Sequence, residues 1–267
     1  MTVNDRSEVL SKVPAVTLGF WIIKILATTL GETGGDTITM SWLGETTSEA
    51  TGYGYLIGTA LVAIPFIALV IVQIVAKKFH PFLYWATIIA STMLGTTLAD
   101  FADRSLGIGY TGGSTVLLAC VLAVLAAWYW SEGSVSVDTV NTPRVEAFYW
   151  ATITFSQTLG TALGDWMADD AGVGFLGGAL IFGAALAVVA ALYFWTGISR
   201  VALFWAAFIL TRPLGATVGD FLDKPFDHGG LSLSRPIASA ILAAVIVGLV
   251  LLLPQRAGSH PRQTAGS

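Results

Sequence analysis

The sequence predicts an all-α, polytopic membrane bundle of eight transmembrane helices in four parallel two-helix repeats. Three observations predict it. Hydrophobic residues fill 55% of the 267 positions and charged residues only 11%, with a mean hydropathy of +0.75, whereas a soluble domain carries roughly a quarter charged residues. Apolar runs of about 20 residues, each long enough for a hydrocarbon core of ~30 Å, recur along the whole chain. A tryptophan-anchored motif also returns four times, at intervals long enough for two spans.

Taken in order, the first span covers 14–38, after a polar tail at 1–13. Its apolar stretch is long, no small-residue cleavage site follows, and it carries the first motif copy, so it does not read as a removable signal peptide. The span 53–76 completes repeat 1 (14–76). Repeat 2 (77–131) holds spans 82–103 and 112–130. The polar stretch SEGSVSVDTVNTP at 131–143 then divides the chain, with the linker taken as 132–144. Repeat 3 (145–196) holds spans 145–167 and 173–196, and repeat 4 (197–254) holds 200–222 and 233–253. The junctions KKFHP at 77–81 and TGISR at 196–200 are tight, and a second tail covers 255–267.

The repeat is explicit. Trp21, Trp85, Trp150 and Trp205 are each followed nine residues later by Leu-Gly, at Leu30-Gly31, Leu94-Gly95, Leu159-Gly160 and Leu214-Gly215. Four residues beyond each glycine stands Gly35, Ala99, Gly164 or Gly219, then Asp36, Asp100, Asp165 or Asp220. The pattern W-x8-L-G-x3-[GA]-D thus recurs without a gap, at spacings of 64, 65 and 55 residues. Two spans per repeat give every copy the same orientation, with the repeat axis along the membrane normal. A pseudo-twofold pair of halves and a pseudo-fourfold ring both satisfy this. On these residues the chain, over about 14–253, resembles a family of bacterial integral membrane proteins built from four tandem repeats, each with two transmembrane segments and a characteristic Trp. That family's function is unknown, so the resemblance implies a fold and a bacterial inner-membrane location but no mechanism.

Charge placement predicts orientation. Arg6, Lys12, Lys77, Lys78, Arg144, Arg200, Arg256 and Arg262 lie at the termini or between repeats, while the loops within repeats carry only Arg104, Lys224 and Arg235. The positive-inside rule then places both termini in the cytoplasm. The opposite side holds Glu45, Glu49, Asp103, Asp169, Asp170, Asp223 and Asp227, a rim that concentrates cations.

With each motif Trp in an aromatic belt at the cytoplasmic interface, fifteen residues of helix place its Asp about 22 Å further along, toward the outer third of the membrane. A carboxylate there faces the bundle interior or a water-filled cavity. Positions four and eight residues earlier share its face. They are Glu32 and Thr28, Thr96 and Thr92, Thr161 and Gln157, and Ala216 and Arg212, seven of the eight polar. Each helix therefore carries a polar seam, while the small-xxx-small pairs suit close helix approach. Lys24 is expected to snorkel to the interface. Arg212, followed by a helix-kinking Pro213, is expected to pair with Glu32 or Asp220.

The expected function is transport of a hard cation, a divalent of the Mg²⁺ or Mn²⁺ kind or one coupled to protons. The candidate binding residues are Asp36, Asp100, Asp165, Asp220, Glu32, Thr96, Gln157, Thr161 and Arg212, with the four aspartates as candidate metal ligands. Oxygen donors favour such ions, and soft sulfur ligands for copper are scarce. Cys120 stands alone, and His80, His228 and His260 are scattered, which excludes a disulfide framework and a His-rich site. No Ser/His/Asp set, HExxH or phosphate loop appears, so no enzyme is expected. GIGYTGG at 107–113 and GVGFLGG at 172–178 read as equivalent hairpins. No cofactor and no nucleic acid is expected, only the lipid bilayer and a cation or proton as substrate. A non-transporting scaffold with a structural polar network, and a cation channel, are the alternatives.

Overall fold

The computed structural model describes residues 8–48 and 50–261. Arg6, Glu49 and Arg262, used in the charge argument, lie outside the described residues, as do the outer parts of both tails. Eight α-helices carry the fold: α1 (Leu18–Asp36), α2 (Tyr53–Val75), α3 (Pro81–Asp100), α4 (Tyr110–Glu132), α5 (Pro143–Asp165), α6 (Gly174–Trp195), α7 (Arg200–Asp223) and α8 (Arg235–Leu252). Local chemistry starts several of them. Thr17, Thr142 and Ser199 accept hydrogen bonds from the backbone N–H groups of Phe20, Val145 and Ala202, satisfying first-turn donors of α1, α5 and α7. Pro81 and Pro143 sit in the first turns of α3 and α5, where a missing N–H costs nothing. α7 continues through Pro213 as one helix.

The odd-numbered helices form a closed inner ring in which α1 packs on α3, α3 on α5, α5 on α7 and α7 on α1. Each even-numbered helix lies outside against the next odd one: α2 on α3, α4 on α5, α6 on α7, and α8 back on α1. Of the two arrangements open to the sequence, this packing follows the pseudo-fourfold ring.

Glycine makes the ring tight. A Cβ added at Gly31 would lie 2.2 Å from Thr92 Oγ1, and one at Gly160 would lie 2.2 Å from Arg212 Cγ. Equivalent approaches join Gly95 to Gln157 and Gly215 to Thr28. One turn later Gly35 meets Thr96, Gly164 meets Ala216 and Gly219 meets Glu32. The two faces foreseen separately, small residues and polar seam, are therefore two halves of one interface. Because the contacts ascend both partners together, the inner helices run parallel. Hydrogen bonds repeat the symmetry, with Thr92 Oγ1 donating to Ala27 O and Thr28 Oγ1 to Thr211 O.

Near the helix N-termini an aromatic ring closes the bundle. Each tryptophan packs on an aromatic residue of the preceding repeat: Trp85 on Phe20 (5.5 Å between centroids), Trp150 on Tyr84 (6.1 Å), Trp205 on Tyr149 (6.3 Å) and Trp21 on Phe204 (5.6 Å). Tyr84 and Tyr149 share a hydroxyl–hydroxyl bond of 2.6 Å. This corrects the expected aromatic belt, since Trp85, Trp150 and Trp205 are buried. A large flat side chain at a position where neighbouring repeats converge does more as a packing wedge than at a lipid surface.

Strands extend the closure. β1 (Glu8–Pro14) pairs antiparallel with β2 (Ala257–Pro261), so both tails contribute ordered structure. Lys12 is buried on Glu146 (2.5 Å) and donates to Ile74 O (2.9 Å), and Ser11 Oγ donates to Val137 O (2.7 Å). Val13 joins Val137 and Val140 in the aromatic core.

Among the described residues, six helices are long and apolar enough to cross a membrane: α2, α3 with its extension to Ser105, α4, α6, α7 and α8. The outer helices expose apolar side chains such as Ile64 and Ile67 of α2, Leu122 of α4, Leu180 of α6 and Ile241 of α8. An apolar surface of this extent marks a membrane-facing protein. α1 and α5 fall outside the six by length and composition; their polar residues, including Thr28, Glu32, Ser156 and Gln157, are buried.

Candidate functional site

The seam places equivalent residues in layers about the ring axis. Lys24, Ile88, Ile153 and Phe208 form a wholly buried layer above the aromatic ring. Lys24 does not snorkel outward. Its Nζ sits 4.1 Å from the Phe208 ring centroid, without a hydrogen-bond partner among the described residues, so its stem and amine both lie inside the bundle against a ring face.

The next two layers meet at Arg212. From α7 its Nη1 donates to Glu32 Oε2 of α1 (2.9 Å). Its Nη2 donates to Thr96 Oγ1 of α3 (2.7 Å) and to Thr161 Oγ1 of α5. Thr96 also donates to Glu32 Oε2 (3.3 Å). One guanidinium thus ties together all four inner helices, using the planar fork of donors that lysine lacks. Of the two expected partners, Glu32 is the one it takes. Gln157 lies apart from this fork, against Gly95, with its Nε2 3.5 Å from Ser91 Oγ.

Three of the four motif aspartates end their inner helices, while α7 runs three residues past Asp220. Asp36, Asp100 and Asp165 are the last residues of α1, α3 and α5, and each is followed by a π-helical turn at Thr37–Trp42, Phe101–Ser105 and Trp166–Asp170. Such turns leave main-chain pairing irregular and concentrate at functional sites. All four aspartates are buried. Lys224 Nζ bridges Asp36 Oδ2 (2.5 Å) and Asp220 Oδ1 (2.9 Å). Arg235 Nε lies 3.9 Å from Asp36 and 3.7 Å from Asp223, and Arg104 Nε donates to Asp100 Oδ1 (2.7 Å).

Asp165 differs. It is 4% exposed, and among the described residues its carboxylate makes no hydrogen bond or ion pair. Its carboxylate oxygen lies within 4.8 Å of those of Glu32 and Asp220, in a buried triad that could hold a metal ion. A second such triad, Asp36, Asp220 and Asp223, is the one Lys224 and Arg235 already face. Six buried carboxylates (Glu32, Asp36, Asp100, Asp165, Asp220, Asp223) therefore face four cationic side chains (Arg104, Arg212, Lys224, Arg235). The fully ionised cluster carries two surplus negative charges.

Residues 19–79, 83–134, 148–199 and 203–255 each match the family described as Repeat of Unknown Function (DUF347). The chain belongs to that family. Its four matched copies coincide with the four Trp-to-Asp registers and with the ring's pseudo-fourfold contacts. No curated protein and no solved structure matches the chain.

Lys224 and Arg104 were not among the expected site residues. Each stands four residues after a motif aspartate, the spacing of a helical ion pair, which was the available signal. Asp223 carried only the weaker signal of one acid within the outer rim.

Proposed function

We propose that the protein is an eight-span carrier for a hard divalent cation, which it exchanges against protons at the Glu32–Asp165–Asp220 carboxylates. The observation that carries this reading is Asp165, a buried carboxylate with no basic partner, facing two others within 4.8 Å. Arg212 and Lys224 offset Glu32 and Asp220, which leaves Asp165 as the carboxylate of the three whose charge a proton or a bound cation would balance. The surplus of two negative charges suits one divalent ion or two protons, and carboxylate oxygens suit an ion of the Mg²⁺ or Mn²⁺ class.

Eight spans rather than six follow if α1 and α5, sheathed by their neighbours, cross with the rest. The termini then lie in the cytoplasm, the aromatic ring and the strand pair close that side, and the aspartates face outward. The Arg212 fork across the ring axis supports a carrier over an open channel, because a fixed cation there opposes a continuous file of cations.

A specific observation favours one rival. Glu32, Asp36, Asp100 and Asp220 all have basic partners, as they would in a scaffold whose polar core is structural. Proteoliposomes separate the two. The carrier predicts Mn²⁺-dependent proton movement by wild type, abolished in Asp165→Asn that remains folded. A folded wild type that moves neither Mn²⁺ nor Mg²⁺, beside variants altered only in stability, supports the scaffold.

A further inference from the structure

The position four residues after the motif aspartate is Met40, Arg104, Asp169 and Lys224 in the four repeats. Cations thus stand at two positions on opposite sides of the ring, in repeats 2 and 4. Each pairs with the aspartate of its own repeat, Arg104 with Asp100 and Lys224 with Asp220. The parallel then stops. Lys224 reaches on to Asp36 in the next repeat around the ring. The corresponding reach for Arg104 is to Asp165, whose carboxylate has no partner.

Arg104 stands in a π-helical turn rather than a regular helix, its side chain is 36% exposed, and its one ion pair among the described residues is to Asp100. The guanidinium is long and forked, able to hold two carboxylates at once. The ring therefore contains one acidic junction bridged by a tethered cation and an equivalent junction left open.

We propose that Arg104 is a tethered counter-cation that takes Asp165 when the transported ion leaves and returns to Asp100 when the ion binds. The inference rests on the carrier reading above and deepens it by naming what competes with the substrate. With Arg104 on Asp100, the Glu32–Asp165–Asp220 triad is receptive. With Arg104 bridging Asp100 and Asp165, as Lys224 bridges Asp220 and Asp36, the ion is displaced and the empty carrier can reorient without a bare carboxylate. A ligand shifts such an equilibrium only by its different affinities for the two states, and here the difference is direct competition for one carboxylate.

The test uses the full chain and Mn²⁺ as probe, with equilibrium binding in detergent and flux in proteoliposomes. Arg104→Gln removes the competitor. It is expected to bind Mn²⁺ about 5- to 10-fold more tightly, within the usual range of coupling between sites. It should retain Mn²⁺/Mn²⁺ exchange while net efflux falls by a comparable factor. Arg104→Lys keeps a tethered cation and should restore net efflux. Asp100→Asn, which frees Arg104 for Asp165, should shift affinity the other way and weaken Mn²⁺ binding about 5-fold. A merely structural Arg104 would lower exchange and net efflux together and leave affinity within twofold of wild type, which overturns the proposal. If wild type itself neither binds nor moves Mn²⁺, the carrier reading fails first and this inference falls with it, an outcome distinct from a working carrier indifferent to Arg104.

Discussion

Arg212 and Asp165 define the site by opposite means. Arg212 is fully buried yet distributes its donors over Glu32, Thr96 and Thr161. Removing it strands Glu32 without a counter-charge, and breaking a buried pair in this way costs about 3–5 kcal/mol. Arg212→Ala is therefore expected to lower the unfolding midpoint in detergent sharply, whereas Glu32→Gln with Arg212→Met should recover much of that loss. A single variant as stable as wild type would refute the keystone role. That Arg212 would pair with a carboxylate, Glu32 or Asp220, was legible in the sequence, because a charge in an apolar interior needs a partner; the choice of Glu32 was not. The shared contacts to Thr96 and Thr161 were legible only as a polar seam. Which seam residues meet depends on the order of helices around the ring, and no local pattern carries that order.

Among elements, the four inner helices depend on glycine where the neighbouring backbone or a side-chain root passes. Gly160 is the clearest case, with Arg212 Cγ 2.2 Å and Pro213 Cδ 3.0 Å from where its Cβ would be. Gly160→Val should prevent a monodisperse folded protein in size-exclusion chromatography. Gly183→Ala in α6 meets only Leu214 Cδ1 at 3.9 Å and should be silent. Overpacking of this kind ordinarily costs about 1–3 kcal/mol, and here it forces α5 away from α7, the helix that carries Arg212. Equal behaviour of the two variants would contradict the close-packed ring. The small-xxx-small pairs announced this interface. The π-helical turns after Asp36, Asp100 and Asp165 had no such signal, because a one-residue change in backbone pairing leaves hydrophobic periodicity almost untouched.

At the scale of the whole molecule, closure is the organising feature, since α8 packs on α1 and β2 on β1. Deleting 257–267 removes β2, leaves the β1 strand unpaired, and should lower the unfolding midpoint without abolishing the bundle. The orientation argued from charge is checked separately. A cysteine at Ser134, in a Cys120→Ser background, should resist an impermeant reagent added outside intact cells, and labelling from outside would invert the assignment. The repeats themselves could be read from the sequence because Trp, Gly and Asp recur in one register. The strand pairing could not, since it joins residues at opposite ends of the chain and only the folded ring brings them together. The sequence reading counts α1 and α5 as spans, whereas by length and composition they fall outside the six, because residues such as Glu32 and Gln157 that line the ring lower their hydropathy.

The central claim is that Asp165 completes a cation site rather than a structural network. Mn²⁺ titration followed by electron paramagnetic resonance measures this most directly, because free and bound Mn²⁺ give different signals. The account predicts one saturable Mn²⁺ per wild-type chain, lost in Asp165→Asn while that variant stays as stable as wild type or becomes more so through relief of repulsion. Mn²⁺ binding unchanged by Asp165→Asn, or no binding by either protein, would contradict it.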